Sequence, residues 1–118
     1  MLNHPLRARV VLQANQGDEF SVCAPVITEL VFGLLELERS KQNLQTWAAL
    51  ETTLTLLPLM PEDAHAAAEL RHVLRRKGHQ LLTIDAQIAA IALRNGLTLL
   101  TTDSDFSMIP ALSTESWV

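Results

Sequence analysis

The chain has 118 residues, a formal net charge of −4, and 48% hydrophobic against 19% charged residues. That length suits one domain with its own core, the composition excludes a disordered or collagen-like chain, and the sequence shows no internal repeat. The acidic balance argues against holding nucleic acid by overall charge, although Arg71, Arg75, Arg76 and Lys77 put four of the nine cations in one short stretch.

In chain order, residues 4–15 read as a helix, with Asn3 as cap and Pro5 at the first position. Gly17-Asp18 is a turn, and residues 20–24 form a short strand. Pro25 opens a helix to about Ser40, with Val26, Ile27, Leu30, Val31, Leu34 and Leu37 as its apolar positions. A second helix spans about 43–53 and carries Trp47. The apolar run 54–60 is expected as a buried strand. Pro61-Glu62-Asp63 suits a helix first turn, and Lys77-Gly78 suits its end. Another helix starts at Thr83 and stops at Asn95-Gly96. Residues 97–101 form a strand, 103–110 a loop or short helical turn, and 111–118 end in a strand.

Strands alternating with helices predict a single α/β domain over residues 1–118 with a parallel sheet. In such sheets ligands bind beyond the carboxyl ends of the strands. Four acids stand there: Glu29 among apolar neighbours, Asp85 in a helix first turn, and Asp103 and Asp105 after a strand. Converging carboxylates suit hard cations such as Mg²⁺ or Mn²⁺, which activate water and stabilise charge on a phosphodiester. Each acid also has a plainer role. Asp85 complements a helix dipole, Asp103 and Asp105 serve as turn residues, and Glu29 faces solvent. Glu62 and Asp63 read as a helix first turn. The basic run 71–77 reads either as a solvated helix end or as a phosphate contact. The one cysteine, Cys23, excludes an intrachain disulfide and cysteine-rich zinc sites, and reads as a small buried hydrophobe. Trp47 and Trp117 read as packing residues. No apolar run reaches the ~18–20 residues of a membrane span. Residues 1–5 lack the pattern of a secretory signal, so a cytoplasmic protein without a membrane partner is expected.

Val26-Ile27-Thr28-Glu29-Leu30-Val31-Phe32-Gly33 resembles the second acidic motif of PIN-domain ribonucleases. Thr83-Ile84-Asp85-Ala86-Gln87-Ile88-Ala89-Ala90 resembles the third. Gly96-Leu97-Thr98-Leu99-Leu100-Thr101-Thr102-Asp103-Ser104-Asp105-Phe106 resembles the fourth. With the ending through Trp117, nearly the whole chain resembles VapC-type bacterial toxins. The resemblance implies a PIN-like three-layer α/β/α sandwich with a central parallel sheet. It implies Mg²⁺- or Mn²⁺-dependent hydrolysis of RNA phosphodiesters, with a cognate antitoxin and a second copy of the chain as partners. Glu29, Asp85, Asp103 and Asp105 become the catalytic and metal-binding acids. Thr101 or Thr102 would orient a ligand or water, and with Arg75, Arg76 and Lys77 of the basic run they make up the candidate substrate contacts.

The family's members begin with an apolar strand ending in an aspartate. Residues 1–9 here resemble the segment just after that strand, and no acid precedes Asp18. The expectation is a domain truncated at its N-terminus, with one carboxylate fewer and weakened activity. A displaced chain start, a truncated gene, or a dimer that rebuilds one sheet by exchanging elements each accounts for this. A dimer is expected because a missing middle strand leaves hydrogen-bonding groups bare. The alternative function is a catalytically inactive PIN-like interaction module that binds an antitoxin or a homologous subunit. A third reading is a small α/β domain whose acids are caps and turn residues.

Overall fold

The computed structural model describes residues 12–14 and 20–116. Among the described residues, five strands and four helices follow one another: β1 (Leu12–Ala14), β2 (Phe20–Cys23), α1 (Ala24–Leu35), α2 (Ser40–Glu51), β3 (Thr55–Leu57), α3 (Pro61–Arg76), α4 (Thr83–Asn95), β4 (Thr98–Leu100) and β5 (Thr114–Glu115). A 3₁₀ turn, Ser104–Met108, lies between the last two strands. The sheet order is β3-β2-β1-β4-β5.

The alternation of strands and helices gives the expected parallel pairs. Val22 stands opposite Leu56 in one, and Leu99 opposite Thr114 in the other. The middle strand differs. β1 runs antiparallel to both neighbours, with Gln13 opposite Ser21 on one side and Leu99 on the other. Residues 12–14 are therefore strand, not the end of a helix over 4–15. Residues 4–11, Asn15, the Gly17-Asp18 turn and Trp117 lie outside the described residues. The physical reason for the strand is the demand of its two neighbours. β2 and β4 each need a partner for their inner backbone groups, and three extended residues satisfy both at once. Tertiary pairing of this kind overrides local propensity. β1 occupies the middle of the sheet, where a gap was expected.

Two further boundaries differ from expectation. α1 stops at Leu35, where the Glu36 amide is shared between the carbonyls of Phe32 and Gly33, both at 3.3 Å, and the Leu37 amide turns to Leu34. This 3₁₀ tightening ends the helix, and α2 starts at Ser40. The 54–60 run is not a buried strand. Pro58 follows a three-residue edge strand in which Leu56 is 50% exposed.

α3 and α4 match their sequence signals closely. Pro61 starts α3, and the Asp63 carboxylate accepts the Met60 amide at 2.8 Å. Its end is a Schellman motif. The Gly78 amide donates to the Arg75 carbonyl and the His79 amide to Leu74, with Gly78 at φ +87°. α4 ends the same way at Gly96, φ +64°, where the amides of Gly96 and Leu97 donate to the carbonyls of Leu93 and Ala92.

α4 forms the centre of the core. Ala86, Ile88, Ala89, Ala90, Ile91 and Ala92 are all buried. Its small residues allow close approach, and its most extensive packing is against α3. Val22, Cys23, Val26, Leu99 and Phe106 fill the same cluster. Burial there contributes ~1.5–3 kcal/mol for each large side chain. Cys23 and Trp47 are buried, as expected; burial pushes the Cys23 thiol pKa up to about 11. Across the α3–α4 contact, Arg94 holds Asp63 with two bonds, Nε to Oδ1 at 2.6 Å and a terminal nitrogen to Oδ2 at 2.9 Å. Among the described residues no helix is long and apolar enough to cross a membrane.

Candidate metal centre

Three of the four acids named above come together. Asp85 lies in the first turn of α4 and is fully buried. Asp103 follows β4, and Asp105 stands in the 3₁₀ turn. One carboxylate oxygen from each lies within 4.8 Å of the other two. Local hydrogen bonding sets this arrangement. Thr101 is buried, and its Oγ1 accepts the Asp103 amide at 3.0 Å. Asp103 Oδ1 in turn accepts the Asp105 amide at 2.9 Å and caps the turn. The turn role and the site role of Asp103 therefore coexist in one side chain.

The group suits a hard cation. Oxygen ligands stand ~2.0–2.6 Å from Mg²⁺ or Ca²⁺, so one ion spans oxygens up to about twice that distance apart. Three carboxylates of like charge repel one another, and a divalent ion offsets that repulsion. The set contains oxygen donors and no thiolate or imidazole, which favours Mg²⁺ or Mn²⁺ over zinc.

Glu29 is not among the three acids that meet within 4.8 Å. It is half-buried in the second turn of α1, a helix that packs against α4. Thr102 is exposed beside Asp103. Arg75 and Arg76 close α3, and Lys77 caps it; all three are exposed and outside the acidic group. Arg75 lines an open cleft of about 240 Å³ with Arg71, His72, His79 and Gln80. The sequence signal for that cleft is the i, i+4 spacing of Arg71 and Arg75. The return of His79 towards them depends on the Gly78 reversal, which spacing does not show.

The chain was compared with known proteins. It is 28% identical to the tRNA(fMet)-specific endonuclease VapC of Shigella flexneri, over 98% of this chain and 87% of that one. It is also 28% identical to ribonuclease VapC2 of Haemophilus influenzae, over 97% and 86%. Among solved structures, VapBC2 from Rickettsia felis, bound to a DNA fragment from its promoter, superposes with a TM-score of 0.79. That match has 25% identity over 87% of this chain and 78% of that one. DNA-bound VapBC from Salmonella typhimurium gives a TM-score of 0.76 at 25% identity, over 83% and 75%. The PIN domain profile matches residues 1–112. With its α/β sheet and its acids placed as described, the chain belongs to the PIN domain family.

Proposed function

We propose that this chain is a VapC-like toxin of a toxin–antitoxin pair, acting as a metal-dependent endoribonuclease on RNA phosphodiesters. The observation that carries the reading is the convergence of Asp85, Asp103 and Asp105, in a chain similar over nearly its whole length to VapC ribonucleases. Asp85 and Asp103 hold a Mg²⁺ or Mn²⁺ ion, with Asp105 completing the set and Glu29 orienting water from α1. Thr101 positions Asp103 through its backbone, and Thr102 lies at the edge where substrate enters. The cation, when bound, activates water and offsets the charge that builds on the phosphodiester. The chain's own carboxylates fix the ion and accept protons, and no side chain acts as nucleophile. Cleavage is slow in this reading, because a group of three carboxylates holds its ion weakly.

A protein partner is supported by exposed apolar side chains towards the end of α1, where Phe32 is 55% and Leu35 52% exposed. We assign that role to a cognate antitoxin, with a homodimer as the assembled toxin in the cytoplasm.

The test is RNA cleavage in Mg²⁺ and in Mn²⁺ beside an EDTA control and Asp85→Asn. Slow cleavage that both controls abolish supports the proposal. Tight antitoxin binding with no cleavage under any metal favours the interaction-module reading instead.

A further inference from the structure

The cleft against the C-terminal half of α3 has no part in the metal centre. Arg71, His72 and Arg75 line it from α3, with Arg75 one turn on from both Arg71 (i, i+4) and His72 (i, i+3). Opposite stand His79, Gln80 and Leu81, brought back by the Schellman turn at Gly78. Among the described residues, the lining contains two guanidinium groups, two imidazoles and an amide, and no carboxylate. Among the described residues no carboxylate pairs with Arg71 or Arg75, whereas Arg94 is committed to Asp63. Arg71 is also held in place, since its Nε donates to the Leu81 carbonyl at 2.8 Å. That bond uses Nε and leaves the terminal nitrogens as further donors. In a chain of net charge −4 such a concentration of donors is a local exception.

We propose that this cleft binds a backbone phosphate of the RNA substrate, away from the phosphodiester at the metal centre. The inference rests on the ribonuclease reading above and names where that substrate is gripped. Leu81, on the cleft wall, lies four residues before Asp85, so the Cα atoms of these two residues are no more than ~14 Å apart. A strand held by Arg71 and Arg75 is thus presented to the acids by the segment that joins α3 to α4. Guanidinium groups suit phosphate oxygens through paired N–H donors. The nearness of the cleft to the metal centre favours RNA over an acidic protein segment. Of the cations in the basic run, Arg71 and Arg75 carry the contact, and Arg76 and Lys77 do not line the cleft.

The experiment measures binding of a short fluorescein-labelled oligouridylate by anisotropy, in EDTA, across a series of salt concentrations. Arg75→Gln is the principal variant, because Arg75 is exposed and its loss leaves the Arg71–Leu81 bond intact. Arg71→Gln is the second, and Lys41→Gln is a control of equal charge change. Arg75→Gln is expected to weaken binding about tenfold and to reduce the slope of log K against log salt by about 0.7, the value for one phosphate contact on a single strand. Lys41→Gln is expected to change neither. Unaltered binding by Arg75→Gln and Arg71→Gln overturns the proposal. So does an equal loss in Lys41→Gln, or oligoglutamate binding as tightly as the RNA through Arg75. The same proteins assayed for cleavage in Mn²⁺ separate the two readings. Arg75-dependent RNA binding without cleavage leaves the cleft standing and removes the nuclease. Asp85-dependent cleavage with Arg75→Gln binding as the parent does keeps the nuclease and removes the cleft.

Discussion

The amide of Asp105 donates a 2.9 Å hydrogen bond to Asp103 Oδ1, so the residue that caps the 3₁₀ turn also sets where the next carboxylate of the acidic group stands. Asparagine at 103 keeps an acceptor oxygen but loses the charge, whereas alanine loses both. Asp103→Asn is therefore expected to melt close to the parent and to lose most of the rise in Tm on adding Mn²⁺. Asp103→Ala is expected to lose that rise and also about 1 kcal/mol of stability, the usual cost of a lost cap. Thermal melts with and without Mn²⁺ check this. Equal melting of the two variants without metal counts against the capping role.

Asp85 is the buried member of the group. Asp85→Asn is expected to abolish RNA cleavage and the Mn²⁺-induced rise in Tm together, because both need the same oxygen donors. A variant that loses cleavage while keeping the full metal response points to a role for Asp85 other than ligation.

The Asp63–Arg94 pair gives a pH signature. Burial opposes ionisation of Asp63, but the Arg94 hydrogen bonds, the Met60 amide and the Arg94 charge outweigh it and hold the carboxyl below its ordinary pKa. A depressed folded pKa contributes stability that is complete above the unfolded value, ~4. It is lost as pH falls through the folded value. Asp63→Asn is expected to cost about 2 kcal/mol near neutrality, with the difference from the parent shrinking as melts are taken to lower pH. A gap that widens on acidification reverses the sign and refutes this account.

Cys23 is buried with its thiol pKa pushed up to about 11, which leaves little thiolate at neutral pH. The native protein is expected to react slowly with a disulfide reagent at pH 8, and rapidly once denaturant is added. Fast labelling of the folded chain contradicts the burial.

Ala111 adopts φ +66° on the way into β5, a conformation that disfavours a Cβ and suits glycine. Ala111→Gly is expected to raise stability by about 0.5 kcal/mol, readable as a small upward shift in Tm. A fall shows that the neighbouring contacts of the methyl group outweigh the strain.

Much of this molecule is legible from local signals. Pro61 and Gly78 bracket α3, and Thr83 and Gly96 bracket α4, because caps and left-handed glycines act within one turn of the chain. The convergence of Asp85 with Asp103 and Asp105 follows from placing acids after strands and in helix first turns. Features that depend on distant partners are not legible in this way. The partners of Leu12–Ala14 come from both ends of the fold, so its helical appearance misleads. The 54–60 run is apolar, yet its strand lies at the sheet edge, and neighbouring order is not written in hydropathy. Arg94 is unremarkable in sequence because its partner Asp63 lies 31 residues away. His79 joins Arg71 only through the reversal at Gly78.

The antiparallel middle strand has a consequence for how the chain reaches this fold. Leu12 pairs with Leu100, and Ala14 with Thr98, more than eighty residues later. During synthesis β1 emerges first, but one of its two edges finds no partner until nearly the whole domain exists. The parallel pairs β2/β3 and β4/β5 are halves that meet through three residues, and closing so long a loop is slow. Completion of the sheet therefore waits for β4, through a sequence-distant zippering of β1 onto it. Until then the second edge of β1 and the inner edge of β4 are open to other chains, which makes this seam the place where aggregation competes with folding.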